Sequence, residues 1–362
     1  MLCLALVCFA MYFNLKVPLP QESPQEPALK LQMLQLDTSI LGKISPLNDG
    51  CMAGNTRGEL RIFPRFESDA EPIVHKVSTY AISAPVLEKD GNFYVGDENG
   101  RFWAFNPDNG VKWFYRTRNQ ITGRAIWCDE LVLVGSHSQS LFAFEPETGE
   151  LKYSVECNGE INGTPVFLES SKALIFGCCD GILRKIDIRT GEILDEIDFE
   201  SMIPDTPAIR DGILYILTGD GVLAAVDSET FQIIFRAKMT YSVNEDEPSL
   251  SPTYVSSPYV TENFIFATDF HGQITVHSRK DGTQLATLEA EDKMTTLQAG
   301  DDTTVFAVSR RGKLYQWRHE NDRWVPTVLA NSQTDYRRSC VLFGCILLLA
   351  DESGGLFYVN IN

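Results

Sequence analysis

Apolar residues in this chain fall in short runs, broken by turns rich in Asp, Asn, Ser, Lys and Gly, and the breaks keep a regular interval. "MAGNTRGELRIF" begins at Met52, "YVGDENGRFWAF" at Tyr94, "LVGSHSQSLFAF" at Leu133 and "IFGCCDGILRKI" at Ile175. "YILTGDGVLAAV" follows at Tyr215, "FATDFHGQITVH" at Phe266, "FAVSRRGKLYQW" at Phe306 and "LLADESGGLFYV" at Leu348. Each reads as a strand, a tight polar turn and a second strand. The turn positions are Gly58, Gly100, Ser140, Gly181, Gly221, Gly272, Gly312 and Gly354, so successive gaps are 42, 40, 41, 40, 51, 40 and 42 residues.

Other features recur in phase. A small residue, often followed by proline, precedes the first strand: Ser45-Pro46, Ala84-Pro85, Thr164-Pro165, Thr206-Pro207 and Ser257-Pro258. Turns such as "NPDNG", "EPETG", "DIRTG" and "SRKDG" follow the second, and then comes a further strand. The pattern predicts an all-β fold, an eight-bladed β-propeller of four-stranded antiparallel blades. The runs are apolar throughout rather than alternating, as expected of sheets covered on both faces. The last repeat stops after its third strand, so the strand-like "LQMLQLDTSILG" (Leu31 to Gly42) is expected to supply the fourth and close the ring from the N-terminal side.

Composition changes the picture in two ways. Acids outnumber bases 49 to 31 among 362 residues, a net charge of -18. That surface repels phosphate backbones, so no nucleic-acid partner is expected. The first residues, "MLCLALVCFAMYF", carry no charge and suit the core of an export signal or a membrane anchor. The next stretch, "PLPQESPQEP", is a stiff proline-rich spacer. The expected organisation is therefore 1–17 signal or anchor, 18–30 linker and 31–362 propeller, with the membrane as a partner through the N-terminal segment.

Candidate chemistry is sparse. "YVGDENGRFWAFNPDNG" has the glycines of a phosphate loop but no Lys-Ser or Lys-Thr after Gly100. As a calcium loop it would place Phe102, Trp103 and Phe105 where oxygen ligands belong, so it reads as two turns around a strand. None of the nine cysteines forms a Cys-x-x-Cys pair, and His271 and His277 have no third ligand near in sequence, so no metal site is expected. The adjacent Cys178-Cys179 is the one thiol feature with a functional reading, since a disulfide between neighbours is strained. The strongest lead is the insertion "YSVNEDEPSLSPTY" in the single long gap, with Tyr241, Glu245, Asp246, Glu247 and Tyr254 as candidate partner-binding residues.

The repeat "SAPVLEKDGNFYVGDENGRFWAFNPDNGVKW" and its successors "GTPVFLESSKALIFGCCDGILRKIDIRTGEIL" and "DTPAIRDGILYILTGDGVLAAVDSET" resemble the pyrroloquinoline-quinone-like repeat. The resemblance spans Ser45 to Asn362 and is strongest in repeats two to five. It places Trp113 at the tryptophan-docking position, with Tyr153 and Leu194 there in the next two repeats. One branch of that superfamily, the quinoprotein dehydrogenases, uses the quinone and calcium and carries long inserts. The other branch resembles the outer-membrane assembly lipoproteins (BamB-like), compact non-enzymatic periplasmic scaffolds. Compact size, short loops and the N-terminal segment match the second branch. The absence of a small residue before Cys8 departs from its lipidation signal. The resemblance implies a non-enzymatic, periplasmic or extracytoplasmic protein-binding scaffold without a cofactor. The alternatives are a quinone-dependent dehydrogenase and an extracytoplasmic sensor or ligand-binding domain.

Overall fold

In a computed structural model of the chain, each repeat is a sheet of four strands hydrogen-bonded in chain order, and eight such sheets form a ring. The residues described are 16–17, 32–34, 43–47, 50–65, 71–239, 257–268, 272–288, 290, 294–299, 301–309, 311–331, 339–350 and 356–361. None of these is helical. Blade two shows the plan: Leu87–Lys89, Asn92–Gly96, Arg101–Asn106 and Gly110–Arg116 pair antiparallel in succession. First strands of neighbouring blades touch one another, so they surround a common axis and the fourth strands form the outer wall.

The core is divided. Eight hydrophobic clusters lie between successive blades, and each draws side chains from both neighbours. One of them joins Ile44, Cys51, Ala53 and Phe63 of blade one to Leu348, Ala350 and Leu356 of blade eight. The second and third strands are therefore buried on both faces, as in Leu131–Ser136 and Ile182–Asp187, and their sequences carry no period of two.

In blade eight, Ser339–Phe343, Ile346–Ala350 and Leu356–Asn360 are followed outward by Gln32–Leu34, in register Gln32 with Tyr358 and Leu34 with Leu356. A second N-terminal piece, Lys16–Val17, adds in parallel to the outer strand Gln284–Leu288 of blade six.

Fourth strands meet third strands through a recurring bulge. The register skips Lys112, Lys152, Leu194, Ile234 and Leu285 in blades two to six. The residue after each skip opposes the middle of the third strand, and there the blades are stapled together. Trp113 packs its ring against Gly149 of blade three and donates its Nε1–H to the Pro146 carbonyl at 2.7 Å. Tyr153 lies against Gly191 of blade four and donates to the Ile188 carbonyl at 2.5 Å. Phe235 lies against Gly282 of blade six.

Blade four differs from the sequence expectation. Leu194 is the bulged residue and is 51% exposed, and Asp195 holds the docking register opposite Lys185. Lys185 makes the staple from the third strand, donating to the Ser228 and Glu229 carbonyls at 2.9 Å each. Its ammonium lies 5.7 Å from the centre of the Phe231 ring. Phe231 stands where the other turns have glycine, at φ 55°. A slim lysine leaves room for that ring, which an aromatic docking residue would not.

Candidate functional site

The turns between second and third strands, and the connections from fourth strands to the next blade, share one end of the ring. Their shape is set by side-chain acceptors. Asn55, Asp97, Thr218 and Ser309 each accept the amide four residues on, from Glu59 at 2.9 Å, Arg101 at 2.8 Å, Val222 at 3.0 Å and Lys313 at 3.0 Å. Asp97, fully buried, also accepts from the Asn99 amide, from Ser78 Oγ at 2.6 Å and from Trp103 Nε1 at 3.0 Å. Its oxygens are committed to the protein, and the stretch around it is architecture, as its sequence suggests. Gly100 is required there, because it has φ 74° and a Cβ would sit 2.3 Å from the Asn119 carbonyl oxygen.

Toward the axis the blades are laced by hydroxyls. The Arg124 amide donates to Thr164 Oγ1 at 3.1 Å, and the Thr164 amide donates to Thr206 Oγ1 at 2.7 Å. Asp205 accepts from the Ser257 amide at 3.1 Å and pairs with Lys43 at 3.6 Å. Lys43 enters blade one and Asp205 enters blade five, on opposite sides of the ring, so this pair spans the axis. The space enclosed by Ile203, Asp205, Thr206, Pro207, Ile216, Leu217, Ser257 and Pro258 has no room for a water molecule.

Between blades three and four lies a polar cluster. His137 Nδ1 is 2.9 Å from Gln120 Nε2 and 3.4 Å from Glu160, and its Nε2 is 3.0 Å from Thr122 Oγ1. Burial lowers its pKa below the ordinary histidine value, and Glu160 opposes that shift. Asp180 and Arg184 form a buried two-point ion pair at 2.8 and 3.1 Å. Burial raises the Asp180 carboxyl, but hydrogen bonds from Arg184 and from the Ile182 and Asn158 amides outweigh it and hold the pKa below the usual range.

The adjacent cysteines point apart. Cys178 is fully buried in the core between blades three and four, while Cys179 is half-buried and accepts from Asn162 Nδ2 at 3.3 Å. Both are free thiols. His277, 1% exposed, has burial driving its pKa down to about 4. Among the described residues no three His, Cys, Asp or Glu side chains come together as metal ligands.

Charge on this end is uneven. Arg57, Lys76, Arg116, Arg118 and Arg124 are exposed on blades one to three, with exposed Glu98 among them. Glu156, Asp198 and Glu200 are exposed farther round, where Asp180 is paired with Arg184 and Asp220 with exposed Lys238. The insertion follows this acidic sector. Tyr241, Glu245, Asp246, Glu247 and Tyr254 lie outside the described residues, but the ends of the insertion are placed. It leaves after Met239, whose amide donates to the Gly221 carbonyl at 3.0 Å, and returns at Ser257 beside Asp205. It thus connects the outer wall of blade five to the axis on the turn-bearing end.

These features define an eight-bladed β-propeller of quinone-like repeats with a loop-rich face that Lys43 and Asp205 bridge across the axis. Residues 119–327 match the family described as outer membrane protein assembly factor BamB. The chain belongs to this family. The BamB of Yersinia pestis is 25% identical over 221 residues, covering 55% of this chain and 54% of that protein. The BamB of Salmonella typhimurium is 25% identical over 319 residues, covering 85% of this chain and 76% of that one. The chain therefore spans about half of the first relative and about three quarters of the second. The crystal structure of BamB from Moraxella catarrhalis superposes with a TM-score of 0.72 at 17% identity, covering 91% of this chain and 97% of that one. At that identity the likeness speaks for the fold alone.

Proposed function

We propose that the protein is a non-enzymatic scaffold of the cell envelope that acts in outer-membrane protein assembly and binds its protein partner on the turn-bearing face. The observation that carries this reading is the ion pair across the ring axis. With Lys43 and Asp205 joined across it and the hydroxyl lacing beside them, that end of the ring offers a surface rather than a pocket. Surfaces of this kind suit macromolecules, whereas small molecules favour concave sites. A quinone enzyme would need an aromatic ring beneath its cofactor. Each of the five tryptophans is instead packed in an interblade cluster.

In this reading the insertion is the contact element, with Tyr241 and Tyr254 as apolar anchors and Glu245, Asp246 and Glu247 extending the acidic sector toward a basic patch on the partner. The apolar run at the start of segment 1–17 directs export or anchors the chain, and 18–30 links the pieces paired with blades six and eight. The test is site-specific photo-crosslinking in intact cells from positions 241 and 254, with position 194 on the outer wall as a control. The expected result is capture of a component of the outer-membrane β-barrel assembly machinery from the insertion and not from the control. Quinone-dependent dye reduction by the purified chain, with no such capture, would overturn the proposal.

A further inference from the structure

Two buried thiols from different blades meet at the interface of blades three and four. Cys157 follows the outer strand Leu151–Glu156, and Cys178 follows the second strand Ala173–Gly177. Both belong to one buried cluster, at 8% and 0% exposure, and the two thiols lie close enough to act directly on each other. Each backbone is held in its turn, Cys157 by its amide to the Gln139 carbonyl at 2.8 Å and Cys178 by its amide to Ile182 at 3.3 Å. The contact therefore comes from two fixed turns rather than from flexible chain.

We propose that Cys157 and Cys178 are an oxidation site, converted by a disulfide oxidant into a covalent bridge between blades three and four. The sequence draws attention to Cys178-Cys179, but the fold aims Cys179 at Asn162 and gives Cys178 a partner from the neighbouring blade.

The chemistry is thiol–disulfide exchange. Cys157 is the attacking group. The neighbouring Cys178 thiol is the largest influence lowering its pKa, and the Arg184 guanidinium acts in the same direction against burial. The Cys157 thiolate attacks the oxidant disulfide, forms a mixed disulfide and expels one thiolate. Cys178 then loses its proton and attacks the Cys157 sulfur, expelling the second thiolate. Two protons and two electrons leave the pair, and the oxidant is reduced to two thiols.

The product clamps the blade-four turn that carries Cys179, Asp180 and Gly181, next to the His137 cluster. It would stiffen one sector of the turn-bearing face without altering its charge. This holds whatever partner that face binds.

The test treats the folded, reduced full chain with oxidised glutathione, blocks residual thiols and digests it with trypsin without reduction. The expected product joins the peptide 153–172 to the peptide 173–184. It should form in Cys179→Ser, and be absent from Cys157→Ser and Cys178→Ser. The bridge closes a loop of about twenty residues, so oxidation should raise Tm by about 5 °C and dithiothreitol should reverse the rise. Exposed Cys345 is the internal control for reagent activity. A link from Cys179 to either partner would overturn the proposal. So would glutathione left on Cys157 without a bridge, or an unmodified pair while Cys345 reacts.

Discussion

The staple between blades two and three can be taken apart atom by atom. Trp113 is half-buried, with its ring 5.7 Å from Phe102, 5.7 Å from Phe144 and 6.1 Å from Tyr94, and its Nε1–H on the Pro146 carbonyl. Removing roughly 150 Å² of buried indole at about 25 cal/mol per Å² costs about 4 kcal/mol. The lost hydrogen bond adds about 1 kcal/mol, and collapse of the site returns part of the total. Trp113→Ala should therefore destabilise by about 4 kcal/mol, and Trp113→Phe by about 1–2 kcal/mol.

The partner glycine supplies the internal check. Gly149 has φ 72°, and a Cβ there would stand 2.5 Å from the Trp113 ring. Gly149→Ala thus carries both a backbone cost of about 1 kcal/mol and a steric cost of about 2 kcal/mol. In the Trp113→Ala background only the backbone cost remains. Urea unfolding of the four proteins should give a double mutant about 2 kcal/mol more stable than the sum of the single changes predicts. Additivity within 0.5 kcal/mol would mean that the ring and the glycine do not form the contact described.

The same logic applies to blade four, where Lys185→Met should cost about 2–4 kcal/mol in thermal melts because two carbonyls lose charge-assisted donors. Deleting residues 31–42, which include the strand paired with Leu356–Tyr358, should lower Tm of the whole domain, and an unchanged Tm would remove that strand from any role in closing the ring. His277 gives a pH signature. Its folded pKa of about 4 lies below the unfolded value, so its contribution is complete above about pH 6.5 and lost as pH falls toward 4, a loss of about 3 kcal/mol. Stability of the wild type measured between pH 7 and 4.5 should fall more steeply than that of His277→Asn, and equal slopes would contradict the assignment. Asp97→Ala should cost about 3–5 kcal/mol, since it strands four donors, and Ser78→Ala should cost about 1 kcal/mol because the other three remain satisfied.

Blade number and strand order were legible because the turn residues are local signals: Gly58, Gly100, Gly181 and Gly221 all have positive φ, and their spacing is the blade length. The docking residue of blade four was misplaced for an equally physical reason. A bulge skips one residue, and a shift of one residue reverses which face a side chain takes. Counting four positions from the turn glycine recovers the register in blades three and four, Gly149 to Tyr153 and Gly191 to Asp195, whereas in blade two Gly110 to Trp113 is three. The face itself was less legible. Lys43 with Asp205, and Cys157 with Cys178, are contacts made by the curvature of the ring, and no interval along the chain encodes them. Their only sequence trace is a charge or a thiol at the end of a strand.

The bulges of blades two to six have one more consequence. A flat outer strand would offer its free amides and carbonyls to any neighbouring strand, and a ring of eight blades has eight outer edges, one of them partly covered by Lys16–Val17. At Lys112, Lys152, Leu194, Ile234 and Leu285 the outer strand kinks and twists near its start. A second copy approaching edge to edge would find its hydrogen-bond ladder out of step after a residue or two. The same kinks that aim Trp113, Tyr153 and Phe235 at the next blade therefore guard the molecule against polymerising with itself.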